Sequence, residues 1–313
     1  MKKILIIGDI LAEIMADSIG DGFLQPQPLT GPFPSGASAI YADQAARLGQ
    51  PVAIISSVGD DDFGRLNLNR LAEDGVDISG VFVDPDRPTG SAFVRYREDG
   101  SRDFVYNIRH SACGYLHVNP AVRALIHSAD HLHVTGPSLA SPEFAALNLE
   151  AAETLRRRGG TISFDPNLRK EILPTEGLGD ALSRMLVMTD LYLPSDDELT
   201  LLTDADETVG AVAELLQRGV RAVVHKRGAE GAAYFDAGRQ FAQRAFPADE
   251  IDPTGAGDCF GAAFTSLWLR RMEPARALRL AAACGALAVA KRGPMEGASD
   301  LPTLEALVRS QAA

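Results

Sequence analysis

The chain has 313 residues, of which 46% are hydrophobic and 23% are charged, and its 30 Lys and Arg against 42 Asp and Glu give a net charge of −12. This composition is that of a globular protein and excludes the disordered and fibrous classes. The negative charge disfavours nucleic acids and anionic membranes as partners, because both would be repelled.

The cysteine content and the apolar segments bear on the cellular compartment. Cys113, Cys259 and Cys284 are far apart and odd in number, which favours free thiols in a reducing environment. The apolar run near the start ends at Gly8 and is too short for a signal peptide. No segment reaches the roughly eighteen apolar residues that a membrane-spanning helix requires. We therefore expect a cytoplasmic protein.

Short apolar segments alternate along the chain with longer segments whose apolar residues recur three and four positions apart. The short segments predict strands and the longer ones predict helices. The predicted strands cover residues 3–7, 52–58, 131–134, 161–164, 191–193, 222–225 and 232–235. The predicted helices cover residues 40–48, 66–74, 142–158, 209–217, 256–271 and 275–290. This order indicates an α/β protein with a three-layer α/β/α core around a mainly parallel sheet.

Two segments depart from this alternation. Residues 91–96 and 104–108 predict two strands joined by a turn that contains Asp99-Gly100, with no helix between them. They form either an ordinary edge hairpin or a lid that closes over a site and excludes water. The other segment, residues 20–34, is rich in Gly and Pro and is predicted to be irregular.

The strongest chemical signal is Gly255-Ala256-Gly257-Asp258, at the start of a predicted helix. The first N–H groups of a helix lack intrahelical acceptors and the helix dipole is positive there, so the segment predicts a site for a phosphate. Asp258 lies beside that site as a candidate base. Separately, a tight turn and a surface carboxylate would explain the same residues. A dinucleotide motif is disfavoured because Phe260 stands where its last glycine is needed.

The segment Asp252-Pro253-Thr254-Gly255-Ala256-Gly257-Asp258 resembles the C-terminal signature of PfkB-type, ribokinase-like carbohydrate kinases. Residues 35–49, 58–64, 164–169 and 226–231 resemble other segments of that family in the same order. The resemblance implies a single ribokinase-like domain over residues 1–313, with a small β lid from about 12–34 and 89–111. It also implies transfer of the γ-phosphate of ATP to a sugar hydroxyl with Mg²⁺, a monovalent cation as a further candidate cofactor, and a homodimer that pairs its lids.

The resemblance also implies roles for single residues. An Asp with an ordinary pKa of about 3.9 cannot deprotonate an alcohol in advance, but it can accept the proton as the new bond to phosphorus forms. Asp258 is expected to be this base, and Gly255, Ala256 and Gly257 are expected to donate backbone N–H groups to the phosphoryl oxygens. The residues expected to contact the nucleotide are Lys226, Gly228, Asp252 and Ser195, and Glu198 is expected to hold Mg²⁺.

The identity of the sugar is less constrained. The candidate contacts to the sugar are Glu13, Gly36, Asn107, Arg109, Asn167 and Arg169. A ketohexose such as fructose or tagatose, phosphorylated on a primary hydroxyl, is the first expectation. The alternatives are 2-keto-3-deoxygluconate, whose carboxylate would need an arginine, and a non-catalytic regulator that binds sugar or nucleotide. Ile40 and Ser195 replace asparagines of the family pattern, so the family's contacts cannot all be transferred.

Overall fold

The computed structural model describes residues 1–20, 22–98, 102–168 and 173–311. Within these ranges a nine-stranded sheet has the order β13-β12-β11-β10-β9-β8-β1-β4-β5. Its strands are β1 (Ile4–Ile7), β4 (Val52–Gly59), β5 (Asp77–Asp84), β8 (His131–Thr135), β9 (Thr161–Asp165), β10 (Leu191–Tyr192), β11 (Ala222–Lys226), β12 (Ala232–Asp236) and β13 (Gln240–Gln243).

The sheet is parallel from β5 through to β11, and only the β11–β12 and β12–β13 pairs are antiparallel. Every residue of β1, β4, β8 and β9 is buried. Full burial explains why these strands are apolar in succession rather than in alternation. The mainly parallel α/β architecture predicted from the sequence is therefore confirmed.

Helices cover both faces of the sheet. The described helices are α1 (Ala37–Arg47), α2 (Asp62–Glu73), α3 (Pro120–Ser128), α4 (Pro142–Arg157), α5 (Leu178–Met188), α6 (Glu198–Leu201), α7 (Thr208–Gln217), α8 (Ala256–Leu269), α9 (Pro274–Val289) and α10 (Leu301–Ser310). Ile4 and Ile6 of β1 pack with Tyr41 and Phe264 in one apolar cluster. Leu5 belongs to the cluster on the opposite face, because successive strand residues point to opposite sides.

A second, smaller sheet has the order β3-β2-β6-β7. Its strands are β2 (Leu11–Ala16), β3 (Leu29–Ser35), β6 (Gly90–Tyr96) and β7 (Arg102–Asn107). The prediction that residues 20–34 are irregular throughout is wrong, because residues 29–34 belong to β3. Pro32 and Pro34 are tolerated there because β3 is an edge strand, which can spare N–H groups on its outer side.

The buried histidines of β8 have a structural role. His131 Nε2 and His133 Nδ1 contact the hydroxyl of Ser163 at 2.8 and 2.7 Å. Burial lowers the pKa of His131 to about 3, so its ring is neutral at physiological pH. The three cysteines are free and buried, as the sequence predicts. Of the helices in the described ranges, none has both the length and the apolar character needed to cross a bilayer.

Candidate active site

The candidate site lies at the carboxyl ends of the parallel strands. Asp9 follows β1, Asp165 ends β9 and Lys226 ends β11. Strands that run in parallel bring these ends to the same edge of the sheet, which is where open α/β sheets bind ligands. Helix α8 also begins at this edge, since Gly257 and Lys226 are neighbours.

The first turn of α8 is built so that its backbone can be approached closely. Gly255 precedes the helix with a φ of 79°, and a Cβ there would lie 2.5 Å from the carbonyl oxygen of Pro294. Only glycine fits this position. A Cβ on Gly257 would have Lys226 Nζ as its nearest neighbour, at 3.7 Å. The backbone of the turn therefore faces an ammonium group with no side chain between them.

One cavity of about 400 Å³ joins this turn to residues from several other elements. Its lining includes Arg102, Asn167, Ser195, Glu198, Lys226, Gly255, Gly257 and Asp258. The structure thus brings together most of the residues that the sequence analysis assigned to the base, the nucleotide and the metal. Arg102, from the first position of β7, was not among them.

The carboxylate of Asp258 is held by Asn167. Asn167 Nδ2 donates to Asp258 Oδ1 at 3.1 Å, and the backbone N–H of Asn167 donates to Asp165 Oδ1 at 3.2 Å. Asn167 has a φ of 40°, a left-handed conformation that asparagine tolerates better than most residues. The loop after β9 is therefore shaped to hold an amide donor against the candidate base.

Lys226 forms a buried ion pair with Asp165, with 2.5 Å between Nζ and Oδ2. Burial acts to lower the pKa of Lys226, but the charges of Asp165 and Glu198 outweigh it and raise that pKa. Lys226 therefore stays protonated beside Gly257. This position suits a contact to phosphate oxygens, as predicted.

Glu198 closes the loop between β10 and α6. Its two carboxylate oxygens accept backbone hydrogen bonds from Leu168 at 2.5 Å and from Ser195 at 2.7 Å. Burial, together with the charge of Asp165, raises the pKa of Glu198. Within the described ranges no group of three or more His, Cys, Asp or Glu residues could hold a metal. One carboxylate beside a phosphate site nevertheless fits Mg²⁺, which uses few protein ligands.

Asp252 and Gly228 occupy supporting positions. The Asp252 carboxylate accepts hydrogen bonds from the hydroxyl of Tyr96 at 2.7 Å and from the N–H groups of Thr254 and Gly293 at 2.9 Å each. These three bonds direct it toward the loop, so capping the turn is what its geometry supports. Gly228 has a φ of 47° and no neighbour within 4 Å of its Cβ position, which leaves the following loop open.

The first signature contributes Glu13 and Gly36. Ser35 Oγ donates to Glu13 Oε2 at 2.9 Å, and a Cβ on Gly36 would lie 2.6 Å from the carbonyl oxygen of Asp9. Asp9 in turn accepts hydrogen bonds from the N–H groups of Ala37 and Ser38 at the start of α1. A carboxylate of the chain itself therefore occupies this second helix start.

Asn107 and Arg109 are not placed with Asp258. They line a larger cavity of about 580 Å³ together with Asp62 and Ser91. Ser91 is the Cα partner of Asn107 in the β6–β7 pair, so both lie on the sheet face opposite to Tyr106 and Ala92. The expectation that these two residues contact a sugar beside Asp258 conflicts with this placement. Arg169 lies outside the described residues.

Asp9, Asp165 and Arg102 belong to the site and were missed by the sequence analysis. For the two aspartates a signal was available, because each stands at the carboxyl end of a predicted parallel strand. For Arg102 none was available, since its position depends on how the small sheet packs on the large one.

Comparison with known proteins agrees with this geometry. Residues 1–301 match the model of the pfkB family carbohydrate kinases. The chain is 31% identical to a fructokinase from Klebsiella pneumoniae, covering 98% of this chain and 99% of the relative. It is 33% identical to a 2-dehydro-3-deoxygluconokinase from Thermoproteus tenax, covering 88% of this chain and 85% of the relative.

Among solved structures, an E. coli protein assigned as a ribokinase II, in complex with ATP and Mg²⁺, superposes with a TM-score of 0.93 at 47% identity, covering 99% of this chain and 100% of that chain. The match to the family model and the likeness of the fold both extend over nearly the whole chain. The chain therefore belongs to the pfkB family of carbohydrate kinases.

Proposed function

We propose that this protein transfers the γ-phosphate of ATP to a primary hydroxyl of a ketohexose such as fructose or tagatose. One observation carries the proposal: Asp258, the glycine-flanked start of α8 and the Lys226 ammonium group line a single cavity. A base, a set of backbone donors and a cation that converge on one space are what phosphoryl transfer to an alcohol requires.

The geometry supports the following reaction. The sugar oxygen attacks the γ-phosphorus as the bond to the oxygen that bridges to ADP breaks, and that electron pair leaves with ADP. The hydroxyl proton passes to the Asp258 carboxylate, which Asn167 orients. The backbone N–H groups of Gly255, Ala256 and Gly257 donate to the phosphoryl oxygens, and Lys226 stands beside them.

Glu198, with Ser195 at its side, would hold Mg²⁺ near these phosphates. When bound, Mg²⁺ neutralises charge on the phosphate oxygens. The protein's own contribution is to keep the Glu198 carboxylate fixed through two backbone donors at the wall of the cavity. A requirement for a monovalent cation stays a prediction.

A ketohexose is favoured over a sugar acid by the charges around the cavity. Arg109 lines the other cavity, and Lys226 is committed to Asp165, so neither is placed to bind a substrate carboxylate. The resemblance to fructokinases points the same way. The Thermoproteus tenax relative keeps 2-keto-3-deoxygluconate as the alternative substrate.

We also propose that the small sheet acts as the lid and that two chains pair through it. Val105, on the face of β7 that carries Asn107, is 51% exposed, and Leu29 of β3 is 44% exposed. Exposed apolar residues on a small sheet suit an interface between copies of the chain. Sedimentation of the full chain would distinguish a homodimer from a monomer.

An ADP-release assay over fructose, tagatose, 2-keto-3-deoxygluconate and ribose tests the proposed activity. We expect turnover with a ketohexose, and we expect Asp258→Asn to lower kcat by at least about 100-fold while the protein stays folded. NMR of the product would identify the phosphorylated hydroxyl.

Two results would count against the proposal. If Asp258→Asn kept its rate, Asp258 would not be the base. If sugars shifted the thermal unfolding midpoint without any turnover across the panel, the chain would be a binding protein on a kinase fold. Preferred turnover of 2-keto-3-deoxygluconate would replace the ketohexose with the sugar acid.

A further inference from the structure

The hairpin of β6 and β7 touches the loop that leads into α8 at two points. Tyr96 and Arg102 are Cα partners across this hairpin. The Tyr96 hydroxyl donates to Asp252 Oδ1 at 2.7 Å, and Arg102 Nη1 donates to Thr254 Oγ1 at 2.8 Å. The small sheet therefore contacts the large domain directly beside the glycine-flanked turn.

These two contacts differ in what they face. Asp252 is only 1% exposed and its carboxylate is already bonded to Thr254 and Gly293, so Tyr96 meets a closed part of the loop. Arg102 instead lines the cavity that contains Gly257 and Asp258. Only Arg102 presents a charged group to the space where a phosphate would bind.

Arg102 also differs from the other arginines of the hairpin. Arg95 and Arg97 both form ion pairs with Asp103, at 2.9 and 2.6 Å. In the part of the chain that the structure describes, Arg102 has no ion pair; its contacts are the Thr254 hydroxyl and the ring of Phe104. A guanidinium has five N–H donors, so a single bond to a neutral hydroxyl leaves most of them for a ligand.

The charge balance of the cavity shows why such a group is needed. Its described lining holds more carboxylates than cations, and Lys226 is already paired with Asp165. A nucleotide phosphate entering this space would be repelled unless a further cation offset the carboxylates. Arginine suits this task, since its planar fork can bind two phosphate oxygens at once.

From this geometry we infer that Arg102 is a catalytic residue that the small sheet supplies to the terminal phosphoryl group of the bound nucleotide. The inference rests on the proposed function and extends it. Without nucleotide the guanidinium bonds to Thr254; with nucleotide it donates to the phosphoryl oxygens above Gly257. The charge reaches the site only while the small sheet covers it, so closure and phosphoryl transfer are coupled.

The test compares Arg102→Gln with Tyr96→Phe, which removes the other contact of the hairpin but no charge. Arg97→Gln is the matched control, because it removes a positive charge from the same hairpin outside the cavity. We expect Arg102→Gln to lower kcat by about 100-fold. We expect Tyr96→Phe to lower it by less than about tenfold and Arg97→Gln by less than about twofold. Arg102→Lys should recover part of the loss, and its recovery would show that the site still folds.

Binding measurements separate this inference from the proposed function, because they need no acceptor. Arg102→Gln should weaken ATP about tenfold more than ADP, since only ATP carries the terminal phosphoryl group. Equal weakening of ATP and ADP, with a rate like that of Tyr96→Phe, would show that Arg102 only fastens the sheet. A raised sugar KM with unchanged kcat would place Arg102 on the acceptor. Either result overturns the inference, even if the wild type proves to be a kinase.

Discussion

Asn167 shows how a single side chain can be assigned the right place and a different task. The sequence analysis placed it among the sugar contacts, and the structure has its amide donating to Asp258. Its left-handed backbone, with a φ of 40°, is what brings the amide to that carboxylate. We therefore regard Asn167 as a positioning residue for the base, and the two tasks predict different kinetics.

Asn167→Gly keeps the left-handed backbone at no steric cost and removes the amide. We expect kcat to fall by at least about tenfold with little change in the sugar KM, because a misoriented base slows the chemical step. Steady-state kinetics measure both values. Asn167→Asp, of the same size, should be slower still, since it sets a like charge against Asp258. A raised sugar KM with unchanged kcat would instead restore Asn167 as a sugar contact.

At the scale of elements, the start of α8 contains two glycines with different physical reasons. Gly255 has a positive φ and no room for a side chain beside Pro294, whereas a Cβ on Gly257 meets only the end of the Lys226 side chain. The first glycine is needed by the fold of the turn. The second is needed by the ligand, because any side chain there would enter the cavity.

This difference predicts distinct outcomes for two similar substitutions. Gly255→Ala should lower the free energy of unfolding by about 2 kcal/mol, since it combines a strained φ with a backbone clash. Gly257→Ala should leave the unfolding midpoint nearly unchanged and weaken ATP binding by at least about tenfold. Thermal unfolding and nucleotide titration measure the two effects. Equal destabilisation by both substitutions would contradict the assignment.

The same scale shows what the sequence can predict and where it stops. The central strands were predicted to within two residues at either end, because strands buried on both faces are apolar in succession. The exposed edge strands β3 and β5 were missed, since they mix polar, glycine and proline residues as loops do. The turn at Gly255–Asp258 was recognised because its chemistry is local, whereas Arg102 enters the site only through contact between two sheets.

At the scale of the whole molecule, a buried carboxyl group ties three distant segments together. Asp43 of α1 lies against Asp74, which follows α2, and against Arg70, whose guanidinium also donates to the carbonyl oxygen of Met295 at 2.7 Å. Arg70 and Glu296 form a further ion pair. The segment that contains Pro294, which packs on Gly255, is thus anchored to α1 and α2.

The protonation of Asp43 should make global stability depend on pH. Burial, followed by the hydrogen bond with Asp74, raises the pKa of Asp43 to about 8, against about 3.9 in the unfolded chain. Between these values the folded chain holds one proton more, so its stability falls as pH rises. Asp43→Asn keeps a donor to Asp74 and cannot ionise. Urea unfolding from about pH 5 to pH 8 should therefore show the wild type losing up to about 1 kcal/mol per pH unit relative to Asp43→Asn. Asp60→Asn, at a side chain that is 66% exposed, should run parallel to the wild type. Parallel curves for the wild type and Asp43→Asn would mean that Asp43 is charged in the folded protein and that its two arginines outweigh its burial.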